Sequence, residues 1–454
     1  MAKLAINGGD KLRKEKFPPY LPIGKEELEN VKTVFESSLF SRFLGSWHDD
    51  FYGGPHVQAL EREWAKFFGV KHAIAVNSAS SALMCAVGAI DIEPFDEIIV
   101  SPYTMCISAT VPLAYNAIPV FADVEMEHLC LDPKSIEERI TDRTKAIIVV
   151  DLFGEIYDHE AINAIAKKHN LKVIEDCSQS PYATSNGKFG GTFGDVGIFS
   201  LNYHKHIHAG EGGILVTNDD KIANKLRLIR NHAEQVIEAK SMYPEKANPY
   251  PGATFTDIPQ GLETQDLVNM MGYNFRMTEI EAAISEIQLQ KLPSLIEERR
   301  KNIAYLEEGL KDIPCLHLLQ PRKGTNHVYY FQSFLFDEKV AGIHRDRFAD
   351  ALRAELTPLT LRETEGIKVV CGYLRPLYLL PLFQKKIAYG SKGFPWSASG
   401  REYDYSKGLC PVAEDLHYNK LLTHEYHRPG MTKKDLDDVI AVFHKVWENI
   451  DELK

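Results

Sequence analysis

The chain is short of the features that mark secreted, membrane-embedded or nucleic-acid-binding proteins. Its seven cysteines stand at 85, 106, 130, 177, 315, 371 and 410, an odd number with no Cys-x-x-Cys pair. That pattern argues against a disulfide framework and a zinc site, and it fits a reducing cytoplasm. Long apolar runs are missing too. The strongest, such as Ala146–Phe153, are strand length and too short to span a bilayer. No such run follows the basic residues near Met1, so the start does not read as a secretory signal. Positive charge is in deficit: 52 Lys and Arg against 63 Asp and Glu leave a formal charge of −11. A nucleic-acid partner therefore has little electrostatic support. Internal repeats and low-complexity tracts are absent.

What is present is an ordinary globular composition, 44% hydrophobic and 25% charged, over 454 residues. That length exceeds what one core usually organises, which predicts a large domain and a smaller one. Short β-rich runs at Ala73–Val76, Glu97–Val100, Ile118–Phe121, Ala146–Asp151 and Lys172–Glu175 alternate with helix-like stretches at Ser80–Ile90, Ile107–Tyr115, Lys134–Ile140 and His159–His169. The alternation predicts a mostly parallel, doubly wound α/β sheet. Val196–Leu201 and Gly213–Thr217 add two strands around residue 205. A helical pattern follows over Asp219–Ala233, then a Pro- and Gly-rich loop over Ala239–Gln265. Thr278 and Glu279 open a long amphipathic helix to Leu310, with a break expected near Pro293. Beyond Cys315 strands and helices alternate again, Gly390–Leu409 reads as an irregular insertion, and Met431–Leu453 as a final helix capped by Thr432 and Asp435. The expected division is 1–275 for a large domain with an N-terminal arm, and 276–454 for the long helix and a smaller α+β domain.

Chemistry concentrates in Phe199–Gly213, F-S-L-N-Y-H-K-H-I-H-A-G-E-G-G. Lys205 sits there between an apolar strand and a glycine-rich turn. Upstream, V-I-E-D-C-S-Q ends an apolar run with Asp176 at the strand's carboxyl end, where open α/β sheets bind ligands. An imine-forming lysine one strand from an Asp is what pyridoxal phosphate requires, since the Asp keeps the pyridine nitrogen protonated. The freed lysine amine can also carry a proton as a general base. The plainer readings are a solvated lysine and a turn-capping Asp. N-S-A-S-S-A-L at Asn77–Leu83 follows the first strand and suits an anion at a helix N-terminus. Its plainer reading is a serine N-cap. Ser200 can offer a hydroxyl to the same anion, and Gln179 shares the Asp176 turn. His204, His206 and His208 would fall on one face if the segment were a strand, but no Asp or Cys accompanies them, so no metal site is assigned.

These segments, in this order, resemble the DegT/DnrJ/EryC1/StrS family of sugar aminotransferases over roughly residues 18–445. V-K-H-A-I-A-V-N-S-A-S-S-A-L, D-E-I-I-V-S-P-Y-T, A-I-P-V-F-A-D-V-E, T-K-A-I-I-V-V-D-L-F-G, V-I-E-D-C-S-Q, the lysine segment and G-Y-N-F-R-M-T-E-I-E-A-A-I carry the likeness. The resemblance implies the fold-type I architecture, with a mostly parallel seven-stranded sheet and a smaller C-terminal α+β domain. It makes Lys205 the Schiff-base lysine and Asp176 the partner of the pyridine nitrogen. Gln179 would lie beside the ring, while Ala79, Ser80 and Ser200 would bind the phosphate. Met105 would stand where the family stacks Phe or Trp on the ring, with Tyr103 as an alternative stacker. Glu211 would support the loop. Asn274 would reach the neighbouring subunit's cofactor, implying a homodimer with shared sites. Ala79-Ser80 replaces the family's usual Gly-Thr. Ser37–Pro55 and Gly390–Leu409 are unusual, and either can shape specificity or be plain surface loop. The implied reaction moves an amino group from L-glutamate or L-glutamine, through pyridoxamine phosphate, to a keto-sugar or keto-cyclitol. A keto-sugar dehydratase is the alternative within enzymes, although that branch carries His in place of the lysine. A non-catalytic homologue is the alternative outside them, disfavoured by the retention of Lys205 and Asp176.

Overall fold

The computed structural model describes residues 3–45, 49–233 and 268–454. The predicted loop Ala239–Gln265 lies outside them. Seven strands form the main sheet: β1 (His72–Val76), β2 (Glu97–Val100), β3 (Ile118–Phe121), β4 (Thr144–Val150), β5 (Lys172–Asp176), β6 (Val196–Ser200) and β7 (Gly213–Thr217). Their spatial order is β1-β7-β6-β5-β4-β2-β3. Only β7 runs antiparallel to its neighbours. The central strands are covered on both faces, which is why they read as continuous apolar runs rather than as alternating ones. The helices that cover them include α2 (Pro55–Phe68), α3 (Ala79–Ala89), α4 (Ile107–Ala114), α5 (Pro133–Arg139), α6 (His159–His169) and α7 (Asp220–Arg230), preceded by α1 (Lys25–Ser37).

The long helix is α8 (Glu279–Leu310), 32 residues without interruption. The break expected at Pro293 does not occur. Leu289, Leu292 and Ile296 bury on both sides of the proline in the core beneath the main sheet. That packing offsets the hydrogen bond a proline removes. A smaller antiparallel sheet follows, built from β8 (Leu316–Leu318), β9 (Gln332–Phe336), β10 (Val369–Cys371) and β11 (Leu421–His424), in the order β8-β9-β11-β10. Helices α9 (Arg345–Glu355) and α10 (Lys433–Glu448) pack on it.

The chain crosses the 275/276 point in both directions. Leu4 and Phe17 bury in the core of the small sheet, and Arg13 is held there by Asp435 at 2.7 Å and Asp438 at 2.6 Å. Conversely Leu377, Tyr378, Phe383, Trp396 and Tyr405 join the core of the main sheet. The insertion Gly390–Leu409 thus packs against the main sheet through Trp396 and Tyr405. Tyr403 donates to Glu97, the first residue of β2, at 2.8 Å, and Tyr405 donates to the Pro119 carbonyl at 2.8 Å. These contacts lie toward the starts of β2 and β3, the opposite end of the parallel strands from Asp176.

Thr278 begins α8 by a reciprocal cap. Its hydroxyl accepts from Glu281 N–H at 3.3 Å, and the Glu281 carboxylate accepts from Thr278 N–H at 2.9 Å. Thr278→Ala removes the first of these, and the expected loss of stability is about 1 kcal/mol. Urea unfolding followed by circular dichroism measures it. An unchanged midpoint would show that tertiary packing alone fixes the helix start.

Candidate active site

Strand β5 delivers Asp176 to its carboxyl end, with the residue only 6% exposed. The Asp176 carboxylate accepts from Ser178 N–H at 3.1 Å, so the turn-capping role is real and coexists with a place on a cavity wall. The turn is organised from behind by Asp151, which leaves the end of β4. Asp151 N–H donates to the Asp176 carbonyl at 3.1 Å. Its carboxylate accepts from Tyr157 N–H at 3.0 Å, Ser180 Oγ at 2.9 Å and Cys177 Sγ at 3.3 Å. Burial pushes Asp151 up to about 7 despite these donors. Gln179 is fixed at both ends: Oε1 accepts from Phe153 N–H at 3.0 Å, and Nε2 donates to the Tyr373 hydroxyl at 3.3 Å.

Lys205 lies on the loop joining β6 to β7. The segment is a closed loop, not the strand that the histidine spacing allowed. Leu201 N–H donates to the Gly212 carbonyl at 2.9 Å and Tyr203 N–H to Gly210 at 2.8 Å, folding the loop on itself. Asn202 braces it by donating to Glu211 at 2.9 Å and accepting from His204 N–H at 3.1 Å. Loop support by Glu211 is therefore visible in the hydrogen bonds. The histidines diverge: His204 lines the cavity, His206 is buried with Nε2 3.0 Å from the Val328 carbonyl, and His208 N–H donates to Gln288. No group of three or more His, Cys, Asp or Glu side chains suited to a metal occurs among the described residues.

Desolvation pulls the Lys205 amine down to about 8, and the Asp176 carboxylate works against part of that pull. Tyr330 lies beside it, with the ring centre 4.7 Å from Nζ.

Across from Lys205, Ser78 caps α3 by accepting from Ser81 N–H at 3.1 Å. This leaves the N–H groups of Ala79 and Ser80 at the first turn without an intrahelical acceptor. The start of β7 lies against this turn. A Cβ on Gly213 would fall 2.5 Å from the Ser78 carbonyl oxygen and 2.7 Å from Ala79 N, both backbone atoms. The second glycine of Gly-Glu-Gly-Gly's closing pair is thus required by close approach, not by a turn.

Ala79, Ser80, Met105, Asp176, Gln179, Ser200 and Lys205 all line one cavity of about 350 Å³. Asn274 does not join them. It is exposed, and its neighbours tie it to the same region: Asn274 bridges to Asn231, and Asn77 N–H donates to the Phe275 carbonyl at 2.9 Å. Tyr103 is not a ring stacker in this chain, because it is fully buried behind the wall, 6.3 Å from Tyr373. Met105 is on the wall and 47% exposed.

Sequence reasoning missed Tyr330 and Tyr373. Both come from the small-sheet half of the chain, more than a hundred residues beyond Lys205. The aromatic run Tyr329-Tyr330-Phe331 before β9 was the one signal for the first. Nothing local marked the second.

A lysine pulled down to about 8 is neutral in about one molecule in ten at pH 7 and about nine in ten at pH 9. The rate at which a small aldehyde modifies Lys205 is therefore expected to rise about tenfold between pH 7 and pH 9, flattening above pH 8. Mass-spectrometric peptide mapping after borohydride trapping reads it. A rate still climbing steeply past pH 9 would assign Lys205 an ordinary, solvated amine.

Comparison with known proteins fits this geometry. A model of the DegT/DnrJ/EryC1/StrS aminotransferase family matches residues 46–402. The spore coat polysaccharide biosynthesis protein SpsC of Bacillus subtilis (strain 168) is 30% identical over 441 residues, covering 97% of this chain and 99% of SpsC. The L-glutamine:2-deoxy-scyllo-inosose aminotransferase of Micromonospora echinospora is 29% identical over 461 residues, spanning 100% of both chains. Among solved structures, the aminotransferase from Psychrobacter cryohalolentis superposes with a TM-score of 0.75 at 26% identity, over 96% of this chain and 100% of that one. DesI, solved in the presence of its TDP-sugar product, shares the fold with a TM-score of 0.76 at 22% identity, over 99% of this chain and 97% of that one. The chain belongs to the DegT/DnrJ/EryC1/StrS aminotransferase family and is a pyridoxal phosphate-dependent aminotransferase.

Proposed function

We propose that this enzyme moves an amino group from L-glutamate or L-glutamine to a keto-sugar, nucleotide-linked or not, or to a keto-cyclitol. The observation that carries the reading is a lysine amine of lowered pKa in one cavity with Asp176 and the first turn of α3. The named activity of the Micromonospora relative and that of the GDP-perosamine synthase of Vibrio cholerae, 32% identical over 293 residues, support the substrate class.

The cavity suits the cofactor. Its volume is in the range of small-molecule sites. The Ser178 hydroxyl on its wall is buried without a partner. The Gly213 approach leaves the Ala79–Ser80 turn flush with the start of β7. Bound pyridoxal phosphate supplies an electron sink conjugated to the reacting carbon. In the proposed arrangement Ala79 and Ser80 N–H and the Ser80 and Ser200 hydroxyls hold the phosphate at the positive end of α3. Asp176 would accept the pyridinium N–H, and Gln179, clamped by Phe153 and Tyr373, would lie beside the ring. Met105, on the same wall, would cover a ring face. Lys205, its amine pKa lowered to about 8, would hold the cofactor's carbonyl carbon and, when free, would carry a proton as a general base. Retention of Lys205 favours amine transfer over dehydration.

The reading includes a homodimer in which Asn274 serves the neighbouring site. In support, the exposed apolar residues Phe40, Leu44 and Met271 lie near it in the bonded network. Glu279 N–H donates to the Phe40 carbonyl at 3.0 Å, and Asn231, bridged to Asn274, donates to the Leu44 carbonyl at 2.8 Å.

Titrating L-glutamate into the purified holoenzyme is expected to bleach its visible cofactor absorbance, with one 2-oxo acid released per site. Lys205→Ala is expected to lack that absorbance while keeping the wild-type fold by circular dichroism. A holoenzyme unresponsive to both glutamate and glutamine would sink the proposed donor class. A product sugar lacking nitrogen would establish dehydration instead.

Mixing tests the shared site. Lys205→Ala and Asn274→Ala are each expected to be nearly inactive alone. Co-refolded together they regain activity, because each mixed dimer contains one site with both residues intact. No recovery on mixing would place Asn274 in its own chain's site or outside the chemistry.

A further inference from the structure

His204, next to Lys205 in the chain, forms part of the cavity wall, and its Nδ1 lies 3.3 Å from Arg362 Nη2. A guanidinium has only donors, so Nδ1 must accept. The ring proton is thereby fixed on Nε2, which has no partner among the described residues. A second proton would have to break the Arg362 bond and face a cation. Burial and Arg362 both lower the His204 pKa. Arg362 cannot swing away, since it is 6% exposed and bonds Glu365 and Glu425, each at 2.9 Å.

The surroundings favour an anion. Arg362, Lys368, Arg428 and Arg299 are buried around Glu365 and Glu425, so cations outnumber carboxylates. Arg299 Nε and Arg428 Nε have no hydrogen-bond partner. Charges of the cluster act on both Tyr330 and His204 in the wall, the arginines in one sense and Glu425 in the other.

We propose that His204 recognises the α-carboxylate of the amino-acid donor through its Nε2–H, with Arg362 as the positioning residue that fixes the tautomer. This rests on the proposed amino-acid-to-keto-sugar reading. Adjacency to Lys205 selects the α-carboxylate: it is one bond from the carbon whose amine is transferred. Any phosphate of a nucleotide-linked acceptor lies several bonds from its keto carbon.

The test compares wild type, His204→Phe and His204→Gln as holoenzymes of confirmed cofactor absorbance and melting temperature. Binding of 2-methyl-L-glutamate, which lacks the Cα–H and cannot complete transfer, is measured by calorimetry, and glutamate by single-turnover spectroscopy. His204→Phe is expected to weaken both by roughly tenfold or more, the scale of one lost hydrogen bond to a charged group. His204→Gln, which keeps an N–H donor, recovers most of the affinity. The keto-acceptor's apparent affinity for the pyridoxamine phosphate form changes by less than about twofold, below the scale of a lost hydrogen bond. Unchanged donor binding in His204→Phe overturns the proposal, as do equal losses in the Phe and Gln variants or a loss confined to the acceptor. Wild-type enzyme that ignores glutamate and glutamine altogether would instead overturn the underlying donor reading.

Discussion

The site depends on one row of backbone across three strands. Val76, Gly213 and Ser200 pair side by side in β1, β7 and β6. The Ser78–Ser80 turn leaves the sheet just after Val76, and the lysine loop leaves just after Ser200 and returns at Gly213. Because Gly213 has no side chain, the Ser78–Ala79 backbone can lie directly over the start of β7. A methyl group there would displace backbone, which cannot give way as the end of a flexible side chain can. The register also sets Asp176 opposite Ile198 of β6, two residues before Ser200. Turn, carboxylate and lysine thus converge because strand pairing permits no other arrangement of their roots.

Behind that row the protein accepts buried polar groups to hold the turn of Asp176 rigid. Asp151 receives a backbone N–H, a hydroxyl and a thiol, and gives its own N–H to Asp176. Glu175, facing the other side of the sheet by strand alternation, accepts the N–H groups of Gly191, Phe193 and Gly194. Burial raises both carboxyls, Glu175 to about 8 and Asp151 to about 7, with Asp151 repelling Glu175 and Glu155 repelling Asp151. Both groups therefore carry reduced negative charge near neutral pH. The field they exert on the neighbouring cavity is correspondingly weaker.

What was legible in the sequence follows the range of the interactions. The seven strands and the four helices between the first five were readable because burial on both faces and cap residues write local patterns. Thr278 and Thr432 each cap where they were expected to, and Ser78 supplies the serine cap that was the plainer reading of Asn77–Leu83. Lys205 and Asp176 were readable because strand ends are local signals too. Pro293 misled because its local penalty is outweighed by distant packing of Leu289, Leu292 and Ile296. The period-two spacing of the histidine triplet carried no information about its fate in a loop closed by Tyr203 and Gly210, and no site was assigned to it. Tyr373 was invisible, since its place beside Gln179 is set by a small sheet that forms some two hundred residues later.

The cavity wall consequently has two origins. The main sheet contributes groups whose positions are locked by backbone pairing: Asp176, Ser200, Lys205 and the Ala79–Ser80 turn. The small-sheet half contributes side chains that reach in from outside: Tyr330, Tyr373, and Arg362 acting through His204. The backbone roots of the first set stand in or beside paired strands, so their mutual spacing follows the register. Substituting the second changes a tip without moving a strand. On the proposed function, chemistry resides in the locked set and substrate choice in the adjustable one. His204 belongs to both, because its backbone rides on the lysine loop while its proton is placed by Arg362. Donor recognition and imine chemistry are then coupled through adjacent residues, and a shift of the small sheet would reach the reacting carbon through a single imidazole.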